Sequence, residues 1–131
     1  MSIPCFDIEK IGLLQHLIIE ATGGVEGIKD ENLVLSAIEG IYQTFGGKEI
    51  YPSKEEKAAR LCYSLISNHA FVDGNKRIGI VAMILFLQLH GLDLKATNKE
   101  IEALGWDVGA GRKTYDDILS FIHQHLVISG Q

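Results

Sequence analysis

The sequence predicts an all-α protein, a single compact helical domain over residues 1–131 with about six helices and a short extended flap. Three observations carry this. A chain of 131 residues suits one domain with one hydrophobic core. Apolar residues recur at three- and four-residue spacing through most of it, the signature of amphipathic helices. Its only two prolines are Pro4 and Pro52, so long helices can run between them.

The elements follow in order. Residues 7–20 place Ile8, Ile11, Leu14, Leu17 and Ile18 on one stripe, which Thr22-Gly23-Gly24 ends. Asp30 is an N-cap for a helix over 31–42, with Leu33, Ala37 and Ile41 inward. The stretch from Thr44 to Pro52 breaks the period and reads as a loop or extended flap. Ser53 and Glu56 form a capping box for a helix over 54–68, with Ala58, Leu61, Cys62, Leu65 and Ile66 on its apolar face. Residues 69–74 are a short connection. The helix over 75–90 is apolar nearly all round from Ile78 to Leu87, as expected of the central buried helix. Thr97 and Glu100 cap a further helix, which Gly105 and Gly109 are expected to interrupt. Thr114 opens the last, over 115–127.

Composition narrows the function classes. Hydrophobic residues make up 47% and charged residues 22%, a globular balance. The formal charge is −5, from 17 acids against 12 bases, which disfavours binding to a phosphate backbone, so no nucleic-acid partner is expected. Two cysteines, Cys5 and Cys62, make neither a disulfide framework nor a four-ligand zinc site. Cys62, inside a helical apolar pattern, is expected to be a buried thiol. No basic stretch followed by an apolar one opens the chain, so no signal peptide is read. The longest apolar run, Ile78 to Leu89, falls short of the ~20 residues a bilayer requires. The expectation is a soluble, cytoplasmic protein without a membrane partner.

Chemistry concentrates in one place. His69-Ala70-Phe71-Val72-Asp73-Gly74-Asn75-Lys76-Arg77 compresses a histidine, an aspartate, an asparagine and two cations between the two most apolar helices. Burying such groups unpaired costs several kcal/mol, so the segment should open onto a ligand cleft. Gly74 to Arg77 form the first turn of the central helix, where free N–H groups and the helix dipole favour an anion. Gly74 lets a phosphate approach the backbone, Asn75 can donate from its amide, and Lys76 and Arg77 add cations. Those cations also repel the positive end of the dipole, so an anion should complete the arrangement. Asp73 suits Mg²⁺, which is usually held by one or two carboxylates plus phosphate oxygens and water. His69 suits a general base, since an imidazole changes charge near neutral pH. Together they point to magnesium-assisted transfer of a phosphoryl-containing group to a hydroxyl.

The nine residues resemble the signature of the Fic/Doc superfamily, His-x-Phe-x-(Asp/Glu)-(Gly/Ala)-Asn-(Gly/Lys)-Arg. Gly23-Gly24, Gly27-Ile28-Lys29-Asp30, the Phe45-Gly46-Gly47 to Tyr51-Pro52 stretch, Lys57-Ala58-Ala59 and Asn68 resemble its death-on-curing branch. The resemblance implies His69 as the base that activates a hydroxyl of a target protein and Asp73 as the Mg²⁺ ligand. It implies that Gly74, Asn75, Lys76 and Arg77 hold the phosphates of ATP, and that Phe71 anchors the loop in the core. It implies that the flap, Gly46, Gly47, Lys48, Glu49, Ile50 and Tyr51, aligns the target by backbone pairing. Lys76 is the branch's residue where AMP-transferring relatives carry Gly. It implies a toxin that passes the γ-phosphate of ATP to a protein hydroxyl, with translation elongation factor Tu as the type of target and a small antitoxin as partner. Gly74 is the residue of the AMP-transferring majority, so protein adenylylation stays open beside phosphorylation, as does a degenerate domain that only binds.

Other features carry less. His123 and His125 are two apart and make a poor metal pair on a helix. Trp106 is expected mainly to pack, and His16 and His90 to lie at the surface or its boundary. Asp73 has the alternative role of an N-cap. Thr22-Gly23-Gly24-Val25-Glu26-Gly27 fits the inhibitory (Ser/Thr)-x-x-x-Glu-(Gly/Asn) motif of some Fic proteins. That motif works from a helix, which two glycines disfavour.

Overall fold

Each helix begins close to where the sequence offers a cap. A computed structural model describes residues 6–128; Pro4, Cys5 and the opening stretch read for a signal peptide lie outside the described residues. Asp7 accepts from the Lys10 N–H and starts α1 (Ile8–Thr22). Asp30 accepts from the Asn32 and Leu33 N–H groups and starts α2 (Glu31–Gly40). The Ser53–Glu56 box starts α3 (Lys54–Ser67), and the Thr97–Glu100 box starts α5 (Asn98–Gly109). At the head of α6 (Tyr115–His125) the Asp117 carboxylate accepts from the Thr114 N–H. The exception is α4 (Asn75–Leu89), whose cap is Gly74 in the left-handed conformation with no side-chain bond. Asp73 is therefore not its N-cap.

The helix α4 is the centre of the molecule. It packs on α3, α5 and α1, while α3 also meets α2 and α6. Ile78, Ala82, Met83, Phe86 and Leu87 of α4 join Leu61, Leu65 and Ile66 of α3 and Ile118 and Ile122 of α6 in one core. The α3–α4 approach is close at Gly79. A Cβ there would lie 2.6 Å from Ile66 Cγ1 and 3.0 Å from the Cys62 carbonyl oxygen.

The flap is a small antiparallel hairpin, β1 (Thr44–Phe45) and β2 (Lys48–Glu49), turning at Gly46-Gly47. Lys57, 8% exposed, anchors it: its ammonium donates to Glu49 at 2.9 Å and to the Tyr51 carbonyl. Tyr51 then packs against Tyr115 in a tilted contact, 5.4 Å between ring centroids and 60° between ring planes.

Two expectations need correction. The helix α5 is not interrupted by its glycines; it runs unbroken through Gly105 to Gly109 because both face α4 side chains that fill the missing volume. The last helix stops at His125 rather than 127, and Leu126–Ile128 forms β4 against β3 (Leu92–Leu94). That pairing joins segments over 30 residues apart, which helical periodicity cannot signal.

Candidate active site

The connection between α3 and α4 is short, and its backbone is fixed on both sides. Phe71 is fully buried, and its N–H and C=O are both bonded to the Asn75 carboxamide, at 3.1 and 3.0 Å. Asn75 thus closes the loop onto the first turn of α4. From the other side comes the segment between α1 and α2. Val72 N–H donates to the Gly27 carbonyl, the Lys29 and Asp30 N–H groups donate to the Ala70 carbonyl, and Ile28 faces Phe71 as an antiparallel bridge. Val25 N–H donates to Asp73 Oδ2 at 2.8 Å.

Gln15 ties these pieces together. It is 1% exposed, donates to the Gly27 and Asp73 carbonyls at 3.1 Å each, and accepts from the Gly27 N–H at 3.0 Å. Sequence reading passed over it. The available signal was a polar residue on an apolar stripe: Ile8, Ile11, position 15 and Ile18 fall on one helix face.

On this frame His69, Asp73, Gly74, Asn75, Lys76 and Arg77 all line one cleft of about 670 Å³. Leu17, Ile18 and Thr22 of α1 form one wall, with Gly23 and Gly24 beyond them, and Ile101, Gly105 and Trp106 of α5 form the other. His69 is exposed and is the one non-glycine among the described residues with a left-handed backbone, φ 49°. It follows the last turn of α3, where glycine is the usual occupant. Holding a histidine there costs roughly 1–2 kcal/mol. No hydrogen bond engages its ring among the described residues.

The charges are arranged as separate, unneutralised groups. Among the described residues neither Lys76 nor Arg77 makes an ion pair. Both sit in the first turn of α4, where the dipole is positive. Among the described residues, the Asp73 carboxylate accepts through Oδ2 while Oδ1 has no partner. No group of three or more metal-ligating His, Cys, Asp or Glu side chains occurs among the described residues. The donor set here is one carboxylate beside a helix start whose N–H groups and dipole suit an anion, which fits Mg²⁺ shared with phosphate oxygens and does not fit an all-protein metal cage.

Other residues separate. Gly46 to Tyr51 do not line the cleft. Lys57 holds them near the start of α3, whereas His69 lies past its end, some 15–20 Å further along the axis. The chain beside the histidine loop is instead Val25 to Asp30. The residues of the possible inhibitory motif leave the helix: α1 ends at Thr22, and Gly23 and Gly24 have φ of 82° and 113°. Glu26 pairs with His16 at 2.6 Å. Trp106 is 62% exposed on the cleft wall, not packed in the core. His125 pairs with Glu100 at 3.0 Å. No helix among the described residues is long and apolar enough to cross a membrane.

Two comparisons relate the chain to known proteins. The Fic/DOC family profile matches residues 5–87, which takes in α1 to most of α4 and the whole 69–77 segment. Toxin Doc of Mycolicibacterium smegmatis is 41% identical over 76 residues, 58% of this chain. The chain spans 58% of the length of that curated relative.

Proposed function

We infer that this chain, which belongs to the Fic/DOC family and resembles its Doc toxin branch, is the toxin of a toxin–antitoxin pair. Its reaction is transfer of the γ-phosphate of ATP to a hydroxyl of a target protein, with elongation factor Tu as the type of target. The observation that carries the reading is that one cleft is lined both by His69 and by two cations at a helix start that make no ion pair among the described residues.

The chemistry follows from the residues. His69, its ring free, accepts the proton of the incoming hydroxyl. The hydroxyl oxygen forms a bond to the γ-phosphorus, the bond from that phosphorus to the β–γ bridging oxygen breaks, and ADP leaves. The α4 N-terminal N–H groups hold phosphate oxygens, with Lys76 and Arg77 adding charge that no acid among the described residues cancels. Asn75 acts mainly by fixing the loop, since its carboxamide is engaged by Phe71. Asp73 would hold Mg²⁺ through its unpartnered oxygen, and bound Mg²⁺ would neutralise phosphate charge. The chain beside the histidine loop is 27–30; Gly27, Lys29 and Asp30 are bonded to that loop, so the backbone of Ile28 is what would align a target segment there, in place of the hairpin at 46–51.

Lys76 favours phosphate over AMP transfer, because a long cation at this turn takes space and attracts charge where Gly would leave room. Gly74 does not argue the other way: its φ of 82° accounts for a glycine by backbone alone. Mass spectrometry of a translation extract incubated with the protein and ATP tests the reading. A gain of one phosphate on a target hydroxyl is expected; a nucleotide-sized gain rejects it in favour of adenylylation. Loss of cellular toxicity in His69→Ala is expected, and unchanged toxicity would leave a binding domain without turnover.

A further inference from the structure

Lysine is flexible by default, a charge on a four-carbon stem with many rotamers. Lys76 is held instead. Gly105 and Gly109 lie four apart on α5 and so on one face. A Cβ on Gly109 would stand 2.8 Å from Lys76 Cε, 3.1 Å from Cδ and 3.2 Å from Cγ, and one on Gly105 would stand 3.8 Å from Lys76 Cβ. The two glycines therefore form a trough in α5 that the lysine stem occupies. At its end the ammonium lies over the Trp106 ring, 4.1 Å from the centroid.

Stability alone does not account for this arrangement. Interior glycines weaken a helix. A tryptophan left 62% exposed buries little of its apolar area. The neighbouring acid, Asp107, pairs with Arg112 at 2.9 Å and with Lys113, not with Lys76. An aromatic face can hold an ammonium in place without neutralising it, whereas a carboxylate would cancel the charge. The region lies beyond the part of the chain that the family profile matches.

We propose that Trp106, with the Gly105–Gly109 trough, is a positioning device that presents the Lys76 ammonium, still charged, to the phosphates of a bound nucleoside triphosphate. This rests on the nucleotide reading of the cleft. Trp106 is a positioning residue: it acts on the nucleotide through Lys76. Binding then moves the ammonium toward the phosphates or fixes it there, and the ring registers the change.

Trp106 is the chain's one tryptophan, so its emission reports the contact directly. Fluorescence of the full chain, and titration calorimetry with ATP and Mg²⁺, form the test. In Lys76→Met the emission should change without ATP, with unaltered circular dichroism and melting. Trp106→Leu should weaken ATP binding roughly 2–5-fold, the scale of an exposed cation–π contact, and Trp106→Phe should recover most of it. Gly109→Ala, which places a methyl against the stem, should both change the emission and weaken ATP. Unchanged emission in Lys76→Met, or equal ATP affinity in wild type and Trp106→Leu, overturns the positioning role and leaves the nucleotide reading standing. Failure of the wild type to bind ATP overturns both.

Discussion

The two faces of α4 use one device for opposite ends. Toward α3, Gly79 admits the side chain of Ile66 and the carbonyl of Cys62. Toward α5, glycines of the partner helix admit the stem of Lys76. In both places a missing Cβ lets helices approach. On the first face everything that enters is apolar or already hydrogen-bonded, and the closeness adds stability. On the second a cation enters at the positive end of a helix dipole, which is unfavourable for the empty protein. Packing glycines therefore do not reveal by themselves whether a seam serves stability or function; the charge of what fills them does.

This contrast breaks if cleft substitutions unfold the protein or if seam substitutions leave it unaffected. The largest effect is expected at His69. Under the proposed reaction His69→Gly should lower the transfer rate by about 10²–10⁴. Its melting temperature should hold or rise, because glycine relieves a left-handed strain of roughly 1–2 kcal/mol. A marked fall in melting temperature would make His69 structural. Next comes Gly79→Ala, whose methyl would meet Ile66 and backbone. A loss of about 1–3 kcal/mol in denaturant unfolding is expected, with ATP affinity of the folded fraction retained. Cys62 offers a second readout there. Burial pushes its thiol up to about 12, so in a Cys5→Ser background it should react with thiol reagents only through opening, and faster in Gly79→Ala.

The smallest effect lies outside both faces, at His16 on α1. The hydrogen bond and charge of Glu26, with Glu20 beside it, raise the pKa of His16 above its ordinary 6.5. A raised folded pKa stabilises the native state fully below the unfolded value, and the contribution is lost as pH rises through the folded one. Wild type should therefore exceed His16→Gln in melting temperature at pH values below 6.5, and the gap should close above the raised value. The pair is exposed, so the gap should be small and shrink with salt. A gap that widens with pH would reject the assignment.

Legibility differed between local and distant relations. Caps at Asp30, Ser53 and Thr97 stand within four residues of what they bond, so the helix starts were readable. The 69–77 segment was readable for the same reason, its groups being brought together by one turn and one helix start. Asn75 was identified as part of the site, but its bonds to Phe71 were not. Gln15 reaches Gly27 12 positions away and Asp73 58 positions away, and nothing near it in the chain announces those partners. The hairpin at 44–49 was expected as a flap, yet its distance from His69 is set by Lys57 and by the length of α3.

By itself the sequence determined six helices, a central apolar one, and a histidine, a carboxylate and two cations within a few residues of its start. These depend on periodicity, capping and spacing, interactions that act over one or two turns. Only the tertiary structure decided which segment supports the loop, that α5 stays whole through its glycines, and that a tryptophan thirty positions away receives the lysine. Those depend on shape complementarity between distant surfaces, where a residue's role is set by what packs against it and not by its neighbours in the chain.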